Sequence, residues 1–255
     1  MNHTVGIVVP AYNPNVDTLI TYIEALQESI ADTVHVELDA PVDSTSRITA
    51  SADSVNTVPK RRGKGKAITE GFNTISTDIL GFVDADASVP VSSVERVVTS
   101  IRDGTADLAI GSRRHPDAII KTHQTRLRRR MGDTFTVLAR RMLPTVVYDY
   151  QCGVKALSTN AWETLYPTIE ESGFAWDLEV ISMAGAMNYR IEEVPIIWDD
   201  APNSTVDPFS TAIDMITTLF TIRHRVKTFD EEMPHLSHPQ NQDQNSIESS
   251  ITGEE

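Results

Sequence analysis

The stretch from Ile79 to Pro90, ILGFVDADASVP, constrains this chain most. It begins as an apolar run of strand length and ends abruptly in two carboxylates one residue apart, Asp84 and Asp86. A buried strand has therefore carried charge to a sheet edge. On extended backbone, side chains two residues apart point the same way, so both acids could converge on one hard divalent cation. Phosphates are what such an ion usually holds. Taken alone, an Asp-x-Asp pair is more often two solvated loop acids, so its meaning depends on the rest of the chain.

The chain has 255 residues, 40% of them hydrophobic, enough for one large core without covalent staples. The single cysteine, Cys152, excludes an internal disulfide. No signal-peptide pattern precedes the first strand, so a cytoplasmic chain is expected. No apolar run reaches the roughly 20 residues a spanning helix needs, which leaves peripheral contact with the cytosolic face of a membrane. The net charge of −14 argues against nucleic-acid binding. Lysine is scarce, and an acidic, lysine-poor surface suits a halophilic source.

Val5 to Pro10 reads as a strand stopped by PAYNPN, and Val16 to Ile30 as a helix with Leu19, Ile23, Leu26 and Ile30 on one face. Val34 to Leu38 reads as a second strand with Asp39 at its end. This strand–helix–strand spacing predicts a parallel sheet. A short third strand over Val55–Val58 leads into KRRGKGKA, where Gly63 and Gly65 would admit a ligand close to the backbone and Arg62, Lys64 and Lys66 add charge at a helix start. A phosphate-facing loop and a solvated basic turn both fit that segment.

A helix over Val91–Ile101 and a strand over Leu108–Gly111 follow, then GSRR. Six arginines lie between positions 113 and 130, several on a helix predicted over Thr122–Leu143. They suit either an anionic partner or an acid-paired surface helix. In DYQCGVKAL, Asp149, Gln151 and Lys155 surround a glycine turn. In GFAWDLE, Asp177 and Glu179 open a helix as dipole partners. One strand is predicted over Arg190–Trp198. A final amphipathic helix spans Asp207–Lys227, with Ile213, Ile216, Leu219 and Phe220 on one side, able to pack on the domain or lie on a membrane. From Asp230 onward the composition predicts disorder.

PAYN, the Asp39 turn, RGKGKA, VDAD, GSR, DYQCGVK, FAWDLE and IEEVPI stand in the order and near the spacing of glycosyltransferase family 2, and within it the chain resembles the dolichyl-phosphate mannosyl- and glucosyltransferases. The resemblance implies an α/β GT-A fold: a Rossmann-like, mostly parallel sheet with helices on both faces and one antiparallel strand. Residues 1–229 would form the domain, with a nucleotide-sugar half to about 115 and an acceptor half over 116–229, followed by a polar tail over 230–255. By the same resemblance Pro10, Tyr12 and Asp39 line the nucleotide, and Asp84 and Asp86 hold Mg²⁺ or Mn²⁺ against its diphosphate. Lys64 lies near those phosphates, Arg113 and Arg128 clamp the acceptor phosphate, and Asp149 is the general base or acceptor orienter.

The chain departs from the family pattern at Pro14, where most relatives have Glu, at Leu38, which replaces the first Asp of a pair, at Ser88, where the mannosyltransferases place a Gln ligand, and at Thr205, where Lys is frequent. The implied reaction is inverting hexose transfer from a UDP- or GDP-sugar to dolichyl (polyprenyl) phosphate, for protein N-glycosylation. Three rivals stand beside it: hexose addition to a lipid-linked oligosaccharide, a sugar nucleotidyltransferase, and a catalytically inactive nucleotide-sugar-binding subunit.

Overall fold

The computed structural model describes residues 3–41, 45–121, 135–199 and 208–232. β1 (Val5–Tyr12), α1 (Val16–Ser29) and β2 (Thr33–Asp39) form the predicted strand–helix–strand unit, and the two strands pair in parallel. Asn15 starts α1 by accepting the Thr18 N–H at 3.1 Å, which satisfies one of the unpaired donors of the first turn. There follow α2 (Thr45–Ser51), β3 (Ser54–Val58), α3 (Lys64–Thr74), β4 (Ile79–Val83), α4 (Val91–Arg102), β5 (Leu108–Ser112) and the short β6 (Ile119–Ile120). A helix α5 covers 135–142. The chain then continues through β7 (Val154–Ser158), α6 (Thr159–Leu165), α7 (Trp176–Ala186), β8 (Ile191–Pro195), β9 (Ile197–Trp198) and α8 (Pro208–Glu232).

Seven strands make the main sheet in the order β3-β2-β1-β4-β7-β5-β8. Only β7 runs against its neighbours. That one reversal has a consequence for position. The C-terminal ends of β1, β2, β4 and β5 share an edge with the N-terminal end of β7, so the turns carrying Tyr12, Asp39, Asp84, Arg113 and Gly153 all emerge together. In open parallel sheets this is the edge where ligands bind.

Each strand of the sheet's centre buries both faces, as parallel strands covered by helices do. On one side Ile7, Val9, Val36 and Val83 pack beneath Leu19 and Ile23 of α1, Ile48 of α2 and Val94, Val97 and Val98 of α4. On the other side Val8, Phe82 and Ile110 pack beneath Ile68 and Phe72 of α3, Trp162 of α6, Leu178 and Ile181 of α7, and Leu219 and Ile222 of α8. Phe72, Phe82 and Trp162 meet one another or Trp176 edge-on or tilted, with centroids 5.1 to 6.2 Å apart, a geometry that adds to simple burial.

Three expectations change. The strand expected over Arg190–Trp198 is two strands. β8 ends at Pro195; Ile196 still donates its N–H to the Ser112 carbonyl at 3.3 Å, but its own carbonyl accepts the Ile119 N–H at 3.0 Å, and β9 pairs with β6 instead. The buried stripe of α8 also differs: Leu219, Ile222 and Val226 are inside, whereas Ile216 and Phe220 are exposed, Phe220 by 58%. Phe220 follows Leu219 directly and is therefore rotated from it by about 100° around the helix. The Ile213 side chain lies outside the described residues. α8 runs to Glu232, past the boundary expected at Asp230.

Candidate active site

β4 stops at Val83, and Asp84 to Asp86 lie in the turn after it, so strand alternation does not set their directions. Local hydrogen bonds do. The Asp84 N–H donates to the Gly153 carbonyl at 3.0 Å, Asp86 Oδ1 accepts the Ser88 N–H at 3.0 Å, and Ala87 takes a left-handed φ of 55°. The two carboxylates remain neighbours. Burial, and then the charge of Asp84, push the Asp86 carboxyl above its ordinary range. Burial and the same two charges also raise the Tyr22 phenol, whose hydroxyl donates to the Val89 carbonyl at 2.5 Å.

Two crowded carboxylates at a sheet edge are a donor set that a hard divalent cation relieves. Among the described residues no group of three His, Cys, Asp or Glu side chains forms a protein-only cage. An ion here would draw its remaining ligands from phosphate oxygens or water, as Mg²⁺ commonly does.

Behind the acids runs a buried row of alternating charge. The Lys64 ammonium lies 2.9 Å from Asp84 Oδ1 and 3.6 Å from Asp177 Oδ2, and Lys155 bonds the other Asp177 oxygen at 2.5 Å. Burial works against the Lys64 charge, but Asp177 and Asp84 outweigh it and hold the ammonium above the usual lysine range. Lys155 also donates to the Cys152 carbonyl at 3.1 Å. Asp177 and Glu179 stand in the first turn of α7 as expected, but they are also buried ion-pair partners.

The basic loop is corrected as well. The N–H groups of Gly65 and Lys66 at the start of α3 donate to the carbonyls of Gly173 and Ser172, at 3.2 and 3.0 Å, so they already have partners. Glycine is required here by this packing. Gly63 has φ 102° and no space for a Cβ beside the Ser172 carbonyl, and a Cβ on Gly65 would lie 2.5 Å from the Trp176 Cβ. Of the loop's cations, Lys64 faces the acids. Arg62 turns to β2, bonding Asp39 through its own N–H at 2.6 Å and its Nε at 2.8 Å, and Glu37 through Nη2 at 2.6 Å. Lys66 pairs with Glu70 on the outside of the helix.

Pro10 and Tyr12 end β1, beyond the last rung shared with β4. Tyr12 is exposed beneath the Arg61 guanidinium, 4.5 Å from its ring centre. Asp39 is buried, with both oxygens engaged by Arg62.

Across the edge, Arg113 grips Asp149 at two points, Nε to Oδ2 at 2.7 Å and Nη2 to Oδ1 at 2.9 Å, and donates to the Gln151 carbonyl at 3.0 Å. Its guanidinium stacks 5.7 Å from the Trp198 ring centre. Burial opposes ionisation of Asp149, but the adjoining Arg113 charge and hydrogen bonds win and hold its carboxyl at about 2. Such a group is a poor proton acceptor near neutrality. Arg128 and Thr205 lie outside the described residues.

Several contributors were not among the expected site residues: Lys155, Asp177, Tyr22 and Gly153. Gly153 packs directly on Asp84 Oδ2, where no Cβ fits. The only sequence signal for it was its place in DYQCGVK, and Tyr22 carried none beyond its helical spacing.

This α/β sheet, with acids at the end of a central strand and an antiparallel strand beside it, defines a GT-A glycosyltransferase architecture. The chain belongs to the family described as Glycosyl transferase family 2, whose model matches residues 6–165. Among curated proteins it is 29% identical over 215 residues to glycosyltransferase AglD of Haloferax volcanii, covering 80% of this chain and 34% of AglD. It is 26% identical over 245 residues to a dolichyl-phosphate beta-glucosyltransferase of Dictyostelium discoideum, covering 88% and 75%. The chain thus spans about a third of the first relative and three quarters of the second. A solved glucosyl-3-phosphoglycerate synthase from Mycobacterium tuberculosis, in complex with Mn²⁺, UDP and phosphoglyceric acid, shares the fold with a TM-score of 0.67 and 20% identity, over 87% of this chain and 79% of that one.

Proposed function

We propose that this protein transfers a hexose from a UDP- or GDP-sugar to dolichyl phosphate, inverting the anomeric centre, as a step in lipid-linked glycan assembly for protein N-glycosylation. The observation that carries the reading is the juxtaposition of Asp84, Asp86 and Lys64 with the Arg113–Asp149 pair along one sheet edge. The names of the relatives from Haloferax volcanii and Dictyostelium discoideum support the acceptor class.

Asp84 and Asp86 would hold Mg²⁺ or Mn²⁺, which when bound neutralises charge on a leaving nucleoside diphosphate. Lys64 adds a fixed positive charge beside Asp84, so part of that neutralisation comes from the chain itself. Tyr12 offers an exposed ring to the nucleotide, while Asp39 fixes the basic loop through Arg62. Arg113, held rigid by Asp149 and Trp198, presents positive charge to an incoming phosphate monoester. With Arg128 it would offset the repulsion between two anionic substrates. The second pKa of a phosphate monoester is ~6, so this acceptor is already largely a dianion near neutrality and attacks without a strong base. Asp149 therefore orients Arg113 and takes no proton.

Among the described residues no helix is long and apolar enough to cross a membrane. A lipid acceptor then requires contact with a membrane surface, for which the exposed Phe220 and Ile216 of α8 are the candidates.

The test is incubation of the purified protein with Mg²⁺, dolichyl phosphate and a panel of nucleotide sugars, followed by mass spectrometry of the lipid. A lipid phosphate heavier by one hexose is expected. An unmodified lipid with every donor, or a product in which the nucleotide is retained, would overturn the reading.

A further inference from the structure

The C-terminal helix is tied to the candidate donor site by an unbroken series of polar contacts. Arg225 of α8 lies 2.5 Å from Glu179 Oε1 and also pairs with Glu170 and Glu171, at 2.9 and 3.0 Å. Glu179 is fully buried, and its other oxygen accepts the N–H groups of Glu170 and Glu171 at 2.9 and 2.7 Å. One carboxylate therefore grips the 170–173 loop on one side and α8 on the other. The next two residues of that loop, Ser172 and Gly173, supply the carbonyls that bond the N–H groups of Lys66 and Gly65. Lys64 immediately precedes these two residues, and its ammonium reaches Asp84 at 2.9 Å.

This arrangement does not look like incidental surface pairing. The 170–173 loop sits so close to Gly63 and Gly65 that neither could carry a Cβ, so a displacement of the loop must be followed by the start of α3. A buried carboxylate that loses its cation is also not at rest. It must find another partner, take up a proton, or let its surroundings shift.

We infer that Arg225 is a positioning residue for the donor site: through Glu179 and the 170–173 loop, the seating of α8 sets where Lys64 stands relative to Asp84. The role rests on the proposed function only in taking Lys64 as the group that meets the donor's diphosphate. It adds that the seating of the C-terminal helix controls how tightly the donor is held. Removing the Arg225 charge then loosens donor binding and leaves the acceptor side, built from β5 and β7, as it was.

The experiment is a double-mutant cycle read by calorimetric binding of UDP and GDP in the presence of Mn²⁺, on the full chain. Lys64→Met and Arg225→Met are each expected to weaken the better-bound nucleotide, Arg225→Met by about fivefold, within the range seen for residues that couple to a site without touching the ligand. The doubly substituted protein should bind no more weakly than Lys64→Met alone, because both act through the same ammonium. In turnover, Arg225→Met should raise the donor KM and leave the acceptor KM unchanged, and Arg225→Lys should recover most of the loss. If Arg225→Met does not fold, Glu179→Gln takes its place. It is nearly isosteric, and its amide oxygen can still accept the two loop N–H groups while the Arg225 pairing is lost. Unchanged nucleotide affinity in the Arg225 or Glu179 variant, or losses that simply add in the double variant, overturn this inference alone. Unchanged affinity in Lys64→Met would instead remove the donor-site reading and the inference with it.

Discussion

The Arg113 guanidinium and the Asp149 carboxylate meet through two parallel hydrogen bonds of 2.7 and 2.9 Å, with Asp149 otherwise shut off from solvent. Both groups keep their charges because each is the other's counterion. Asp149 is held at about 2, below its ordinary 3.8, so the pair adds stability that is present above pH 3.8 and lost as pH falls through about 2. That contribution is on the order of 2 kcal/mol. Asp149→Asn should accordingly lower the urea unfolding free energy by about 2 kcal/mol at pH 6, with the gap to the unaltered protein closing near pH 2. The pH–rate profile of the variant should keep its shape, with an acid limb set by the acceptor phosphate near ~6. A new limb or a lost one would mean that Asp149 exchanges a proton during turnover.

Asp86 is held by the Ser88 N–H and pushed toward neutrality by burial and Asp84. Asp86→Ala relieves that crowding, so the fold should tolerate it, with a melting temperature within a few degrees of the unaltered protein. Mn²⁺ affinity, read by electron paramagnetic resonance in the presence of UDP or GDP, should fall, and turnover should drop by at least ~100-fold, the scale of losing one preorganised charge stabiliser. Chelation of the unaltered protein should have the same effect on turnover, reversed by Mg²⁺ or Mn²⁺. Turnover that survives both treatments would exclude a cation from the reaction.

Gly153 makes a sharper test, because its neighbour is Asp84, one of the two proposed cation ligands. A methyl group there would strike Asp84 Oδ2 and then the Asp84 Cγ at 2.7 Å, both belonging to a side chain that can rotate away. The structural cost of Gly153→Ala is therefore small, roughly 1 kcal/mol, while Asp84 leaves its position. Donor affinity should fall tenfold or more with little loss in unfolding temperature. A variant that unfolds without losing donor affinity per folded molecule would show that Gly153 serves packing alone.

How far the sequence could be read depended on whether a feature was local. β1 to β5 and α1, α3 and α4 were legible because each is a run of apolar residues at one period, bounded by turn chemistry such as PAYNPN. The edge carrying Asp84, Asp39 and Arg113 was legible for the same reason, since Asp39 ends its strand and Asp84 and Arg113 directly follow theirs. The partners of Asp177 were not legible. Lys64 and Lys155 come from distant elements, and only the sheet order with its reversed β7 brings them together. The glycines of the basic loop were read as room for a ligand or as a solvated turn, whereas they admit the 170–173 loop and Trp176, contacts no local pattern encodes. In α8 the apolar residues cover more than one face, so periodicity allowed two choices of inner side, and packing against α7 decided for Leu219, Ile222 and Val226.

That choice leaves Phe220 and Ile216 exposed on a helix whose buried stripe is already complete. Arg223 and Lys227 stand exposed further along the same helix. Apolar and basic side chains together favour the surface of a bilayer containing anionic lipid, where a ring buries its face and a cation meets a headgroup. Phe220→Glu removes the first and adds repulsion, at a position where the folded protein gains little from the ring. Its unfolding free energy should stay within about 0.5 kcal/mol of the unaltered value, as for most surface substitutions. Cosedimentation with vesicles of phosphatidylcholine and an anionic lipid should weaken about tenfold or more, the loss expected when one aromatic ring no longer enters the interface. Leu219→Ala should do the reverse, lowering stability by about 2 kcal/mol or more through the cavity it opens, while the folded fraction binds vesicles as before. With a water-soluble short-chain polyprenyl phosphate as acceptor, Phe220→Glu should turn over at the normal rate, since Phe220 lies outside the charged edge. Vesicle binding that ignores Phe220→Glu would move the membrane contact away from α8.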